Sequence, residues 1–224
     1  MKKTAVIDAG GSGSRMKSAL PKQFLPLAGR PLLMHSLAAF AEACPGISLV
    51  VALPFDQFDT WQQLCREHAF SLLHRVTAGG ETRFRSVQQA LQFVDDDSLV
   101  AVHDGARPLV PVPLIMRMFE EAELYGNCIP VIPVNESVRI MDGTQSRPAD
   151  RSLMRIVQTP QVFHAGVLRR AYAQEYDVHF TDDATVMENM GETIRLSAGD
   201  PANIKITYPH DLAVAEILYK NLHG

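Results

Sequence analysis

Short apolar runs alternate with stretches of helical period along most of the chain. Thr4–Asp8 reads as a strand and is followed by a helical pattern over Pro31–Ala43. Ile47–Leu53 is nearly all apolar, as a strand covered on both faces should be. Asp56–His68 is helical, with Asp56 as its expected cap. Leu72–Val76 predicts a strand ending at Gly79-Gly80, and Val87, Leu91 and Val94 form a helical stripe within Arg85–Val94. Leu99–His103 is a strand ending at Asp104-Gly105, Pro113–Tyr125 a helix with proline in its first turn, and Cys128–Val134 a further strand.

From Asn135 to about Gln158 the rhythm breaks. Ser137–Met141 alternates weakly, Asp142-Gly143 signals a hairpin turn, and Gln145–Arg151 is polar with a proline. Residues 135–158 therefore read as an arm projecting from the sheet, not a link in it. Helices follow over Gly166–Tyr176 and Asp182 to about Met190, with short strands near Arg195–Leu196 and Ile204–Thr207. A closing helix over Pro209–Leu222 places Leu212, Ala215, Leu218 and Leu222 on one face. The βαβα order predicts an α/β fold: a doubly wound, mostly parallel, Rossmann-like sheet with right-handed crossovers and a projecting β-arm. No repeat or boundary divides the 224 residues, so they read as one domain.

Charge changes the picture in one respect. The net charge of −4 excludes a nucleic-acid footprint, so local basic residues must do any phosphate binding. No apolar run approaches the roughly 18 residues of a membrane span. The start Met1-Lys2-Lys3 enters a strand directly, without the apolar region of a signal peptide. Three widely spaced cysteines (Cys44, Cys65, Cys128) read as buried hydrophobes, and the compartment expected is the reducing cytoplasm.

The stretch Asp8-Ala9-Gly10-Gly11-Ser12-Gly13-Ser14-Arg15-Met16, with Pro21-Lys22-Gln23 beyond it, reads as strand, glycine-rich loop and basic pair. Glycines at 10, 11 and 13 let backbone N–H groups approach phosphate oxygens, and Arg15 and Lys22 add positive charge. The spacing matches neither a P-loop, nor a dinucleotide fingerprint, nor a nucleophile elbow. Two further loops, Gly79–Arg83 with Ser86 one turn on and His103–Pro108, should gather at the same sheet edge. Asp104 either holds a divalent cation beside phosphates or caps its loop. Asp8 is a second metal ligand or a strand-end cap. Lys205, between apolar neighbours on a short strand, either points into a cleft or snorkels outward.

Together these stretches resemble the 2-C-methyl-D-erythritol 4-phosphate cytidylyltransferase (IspD) family of the non-mevalonate isoprenoid pathway, over about Val6 to Ala215. The matching residues are Ala9–Met16, Pro21-Lys22-Gln23, Gly79-Gly80 with Arg83, Ser86 and Val87, His103–Pro108, Gln158–Gln161 with Phe163, Thr181-Asp182, Asn203–Thr207, and Pro209 with Asp211-Leu212. Three positions depart from it, the first two being glycine at 10 where the family often has alanine and Ser137 where it has threonine. Asp8 stands where the family usually has a neutral residue.

The resemblance implies a nucleotidyltransferase-type domain over residues 1–224 that moves CMP from CTP to the sugar phosphate, with Mg²⁺ or another divalent cation. Ala9, Gly10, Gly11 and Gly13 would cradle the triphosphate, while Arg15 and Lys22 stabilise charge on the reacting phosphate. Gly80, Glu81 and Ser86 would read cytosine, and Asp104 and Gly105 would lie along the nucleotide. Arg107, Thr181 and Lys205 would face the sugar phosphate. A homodimer is implied, with Ser137, Arg151 and Thr159 serving the neighbour's site through the 135–158 arm. Lys205 and Arg151 would join Arg15 and Lys22 as catalytic groups. Enzymes that transfer CMP to ribitol 5-phosphate share part of the pattern, which leaves that polyol as the alternative acceptor. A non-catalytic nucleotide-binding module is the remaining reading.

Overall fold

Strand β1 (Lys2–Asp8) lies within the sheet, paired in parallel with the Ser48–Leu53 strand on one side and the Ser98–Asp104 strand on the other. The computed structural model describes residues 1–11, 16, 18 and 20–223. In chain order, β1 is followed by the short pair β2 (Pro26–Leu27) and β3 (Arg30–Pro31), helix α1 (Leu32–Ala43), β4 (Ser48–Leu53), α2 (Phe58–Glu67) and β5 (Arg75–Ala78). Then come α3 (Arg83–Ala90), β6 (Ser98–Asp104), α4 (Val112–Tyr125) and β7 (Asn127–Pro133). The hairpin β8 (Arg139–Asp142) and β9 (Gln145–Pro148) precedes β10 (Arg155–Val157) and β11 (Gln161–His164). Helices α5 (Ala165–Ala171) and α6 (Asp183–Glu188), strand β12 (Leu196–Ala198) and α7 (Pro209–His223) complete the chain.

From one edge the sheet runs β5, β4, β1, β6, β11, β7, with β12 outside β7. All neighbours are parallel except β11, which is antiparallel to both β6 and β7, and β10, which continues that antiparallel track along β7. The sheet is thus mixed but mostly parallel. Alternation within the strands sets its two faces. Ala5 and Ile7 of β1, Leu49, Val51 and Leu53 of β4, and Leu99 and Ala101 of β6 join the core under α1 and α4. Val6, Val50, Ala52, Val100 and Val102 join the core under α3, α5 and α6. With helices on both faces the sheet is doubly wound, as the near-continuous apolar strands predict.

The structure corrects several expectations. Asp56 caps nothing: a 3₁₀ turn, Phe55–Gln57, precedes α2, whose cap position is Gln57. The fifth strand begins at Arg75, later than the Leu72 expected. The 166–176 helix stops at Ala171, where Tyr172 turns its ring onto Phe84 with centroids 4.7 Å apart. Ile204–Thr207 forms no strand; Ile206 N donates to the Ala106 carbonyl (2.8 Å), and the Asp211 carboxylate accepts from Thr207 N and Tyr208 N. The arm is shorter than 135–158, because β10 joins the main sheet against β7. Only β8 and β9 form a separate exposed hairpin, with Gly143 at φ +57 in its turn. Among the described residues no helix is long and apolar enough to cross a membrane.

Candidate active site

The strand order reverses at β1, so a crevice opens beyond its carboxyl end, where Asp8 is directly paired with Asp104 of β6. Three hydrogen bonds carry the ladder past the strand ends: Ala9 N to the Ala52 carbonyl (2.9 Å), Gly79 N to that of Leu53 (2.7 Å), and Gly105 N to that of Asp8 (2.8 Å). The glycine-rich loops are therefore brought to one edge, as expected. Gly13 and Arg15 lie outside the described residues. Lys22 opens a short 3₁₀ turn whose Gln23 donates from Nε2 to the Ala9 carbonyl (2.9 Å), tying the basic segment to the loop.

The larger cleft, about 630 Å³, is lined by Asp8, Gly10, Gly11, Gln23, Asp56, Gly80, Glu81, Arg83 and Ser86 among others. Ser86 ties its far wall together. Its hydroxyl accepts from Gly80 N (3.1 Å) and lies 3.0 Å from the Thr82 carbonyl, while the Thr82 side chain caps α3 by accepting from Arg85 N. A Cβ on Gly10 would stand 2.8 Å from the Ser86 hydroxyl, so the loop and the helix start are in close contact. Gly105 is likewise tight, 3.1 Å from the Ala9 Cβ if given its own.

The smaller cleft, about 220 Å³, is lined by Arg83, Asp104, Arg107, Thr159, Thr181, Asp182 and Lys205 among others. Three of these side chains are cations and two are carboxylates, a balance suited to a phosphate. Lys205 points into the cleft, its Nζ 2.9 Å from Asp104 Oδ2. Arg107 Nε reaches the same oxygen at 3.2 Å while its Nη1 donates to the Asn203 carbonyl (2.7 Å). Arg83 Nε lies 3.5 Å from Asp104 Oδ1. These three cations hold the Asp104 carboxyl far below the usual carboxylate range against its burial.

Asp104 is therefore the counter-ion of a cationic pocket, its two oxygens shared among Arg83, Arg107 and Lys205. Among the described residues no group of three or more His, Cys, Asp or Glu side chains could hold a metal ion. The described side chains by themselves do not build a divalent-cation site.

Thr159 lies in the floor of its own chain's smaller cleft, where the resemblance assigned it to a neighbour's site. Its hydroxyl accepts from Asp104 N (3.0 Å) and meets His103 Nδ1 (3.0 Å). His103 Nε2 faces the Arg107 carbonyl at 3.1 Å. A carbonyl only accepts, so Nε2 carries the proton and Nδ1 accepts from Thr159. Burial pushes the imidazole down to about 4, which keeps it neutral. Ser137 and Arg151 are exposed and line neither cleft; the Arg151 guanidinium donates to the Asn135 carbonyl.

Arg83 is the residue to which the sequence reading gave no role. It lines both clefts. A cation in the first turn of a helix opposes the helix dipole, and that signal marks it as needing an acidic partner. The partner is Asp183, fully buried, which takes two hydrogen bonds from Arg83 (2.9 and 2.6 Å) and one from the Tyr172 hydroxyl (2.5 Å).

The family model of 2-C-methyl-D-erythritol 4-phosphate cytidylyltransferase, IspD, matches residues 3–221. The protein of that name from Bacteroides thetaiotaomicron is 47% identical over 218 residues, spanning 97% of this chain and 100% of its own. The one from Porphyromonas gingivalis is 49% identical over 218 residues, spanning 97% of each. The crystal structure of 2-C-methyl-D-erythritol 4-phosphate cytidylyltransferase from Thermus thermophilus superposes with a TM-score of 0.80 at 34% identity, covering 98% of this chain and 100% of that one. Similarity of this extent in sequence and fold, over the strand ends that build both clefts, makes the chain a member of the IspD family.

Proposed function

We propose that the protein transfers CMP from CTP to 2-C-methyl-D-erythritol 4-phosphate in isoprenoid biosynthesis. The observation that carries this reading is the pair of adjoining clefts sharing Arg83, one lined by glycine loops and one by Arg83, Arg107 and Lys205, in a chain matched by the family over residues 3–221. A phosphate oxygen of the acceptor, held in the smaller cleft, attacks the α-phosphorus of CTP held in the larger. A new P–O bond forms, the bond to the β-phosphate oxygen breaks, and pyrophosphate leaves with its electron pair. Negative charge gathers between the clefts, and backbone N–H groups of residues 9–13, Arg15 and Lys22 oppose it. Lys205 and Arg107 hold the acceptor phosphate, with Thr181 at its rim. Gly80, Glu81 and Ser86 face the base, and Asp104 and Gly105 line the nucleotide's path. No covalent nucleophile is required. A divalent cation in this reading arrives on the CTP phosphates.

The arm supports a homodimer. Ile140, Met141 and Leu153 expose apolar side chains beside Ser137 and Arg151, and a second copy placed across them would cover the apolar groups and take Ser137 and Arg151 into its own acceptor site. The cytoplasm is the compartment in which CTP is available. Pyrophosphate release from CTP with methylerythritol phosphate, compared with ribitol 5-phosphate, tests the reading. Release with ribitol phosphate alone would reassign the acceptor, and no release with either would leave a nucleotide-binding module.

A further inference from the structure

We propose that Asp8 reads the sugar of the nucleotide, its carboxylate accepting a hydrogen bond from a ribose hydroxyl and so favouring ribonucleotides over deoxyribonucleotides. The inference rests on the reading that CTP occupies the larger cleft. Ala5, Val6 and Ile7 of β1 are fully buried, yet the next residue carries a carboxylate that reaches the cleft. A charge at the end of a core strand is costly unless it has partners. Among the described residues the Asp8 side chain has one hydrogen bond, Gly10 N to Oδ1 at 3.3 Å. Its second oxygen has none among those residues, and burial raises its carboxyl above the usual range.

Its place in the cleft selects the ligand group. A Cβ on Gly10 would meet the Ser86 hydroxyl at 2.8 Å and Asp8 Oδ1 at 3.4 Å. The Asp8 carboxylate therefore stands across a single glycine from the turn that faces the base, at the start of the loop that receives phosphates. In any nucleotide the sugar joins those two parts. A carboxylate facing phosphate would repel it, whereas a hydroxyl is a neutral donor that suits a partly desolvated acceptor. The metal role considered for Asp8 lacks a second ligand, because the carboxylate beside it on β6 is held by Arg83, Arg107 and Lys205.

The test measures the affinity of CTP, 2′-deoxy-CTP and 3′-deoxy-CTP for the wild type, Asp8→Ala and Asp8→Asn, by calorimetry without acceptor, and kcat/KM with acceptor. The wild type is expected to disfavour one deoxy analogue by about 10- to 100-fold, the effect of a hydrogen bond to a charged group. Asp8→Ala is expected to lower CTP binding to the level of that analogue while the analogue itself changes by less than about twofold. Asp8→Asn can keep the Gly10 hydrogen bond through its amide oxygen and serves if the alanine variant does not fold; it is expected to narrow the ratio at least severalfold. Equal binding of all three nucleotides by the wild type overturns the proposal. So does an equal fall for all three in either variant, which would mark Asp8 as a loop cap alone. Binding is read without turnover, so a wild type that discriminates among the nucleotides but releases no pyrophosphate refutes the reaction and not the role of Asp8.

Discussion

Arg83 and Asp183, a hundred positions apart in sequence, meet in a two-pronged ion pair of 2.9 and 2.6 Å between the two clefts. Asp183 is fully buried and is also held by the Tyr172 hydroxyl at 2.5 Å. Removing one partner of such a pair leaves a buried charge uncompensated. Asp183→Ala should lower stability by about 3–5 kcal/mol. Tyr172→Phe, which keeps the ring stacked on Phe84, should lower it by about 1.5–3 kcal/mol. Urea unfolding measures both; a loss for Asp183→Ala below that of Tyr172→Phe would contradict the central place given to the ion pair.

His103 imposes a pH dependence on stability. Burial lowers its folded value from 6.5 to about 4, partly opposed by the nearby Asp104 charge. The unfolded chain takes up a proton near pH 6.5 and the folded one only near 4, so its contribution is complete above 6.5 and is lost as pH falls between them. That gap corresponds to about 3 kcal/mol. Urea midpoints at pH 7.5 and pH 5 should differ by most of this amount, and His103→Gln should flatten the difference. Asp104, depressed by its three cations, adds its own loss only at and below the ordinary carboxylate range.

Lys22→Ala should lower kcat by about 10²–10³ and change KM for CTP far less, because its contact strengthens as charge develops. Steady-state kinetics decide it. Weaker CTP binding at an unchanged kcat would limit Lys22 to holding the ground state.

Gly80 lines the larger cleft, in the turn proposed to read the base. A Cβ there would lie 2.3 Å from the Arg85 Cβ, so Gly80→Ala must displace the turn. An overpacking cost of about 1–3 kcal/mol predicts a KM for CTP raised by about 5- to 100-fold. The wild type should prefer CTP to UTP, since a site built for one hydrogen-bond pattern leaves a polar group unpaired with the other. Equal turnover of both would remove the base-reading role.

Exchange of arms predicts complementation. Lys22→Ala and Arg151→Ala are each expected to be inactive. Unfolded together in equal amounts and refolded, they should recover about a quarter of wild-type activity, because half of the dimers are mixed and each of these has one intact site. Demonstrated mixed dimers without activity would place Arg151 in the service of its own subunit.

Much of the fold was legible because its signals are local. In β1, β4 and β6 apolar residues occupy both faces, and α1, α3 and α4 carry stripes at helical spacing, so each segment states its own conformation. The glycine loops were legible for the same reason, since each interrupts an apolar strand at its carboxyl end. The antiparallel track was not. Arg155–Val157 and Gln161–His164 are short, broken by Pro160, and become strands only because β6 and β7 leave a gap between them. Conversely, Ile204–Thr207, with its alternating apolar residues, looks like a strand but pairs with none: Ile206 N goes to the Ala106 carbonyl and Thr207 N to the Asp211 carboxylate.

At the active site the division is the same. By itself the sequence determined which residue types stand at the strand ends: clustered glycines, Asp8 and Asp104 after apolar runs, and basic residues nearby. Only the tertiary structure decided what each one faces. Asp104 became the counter-ion of Arg83, Arg107 and Lys205, Thr159 became the link between Asp104 and His103, and Arg83 acquired Asp183. Backbone conformation depends on neighbours a few residues away. The state of a buried charge depends on whatever the fold brings within about 4 Å, where the low dielectric makes each partner decisive.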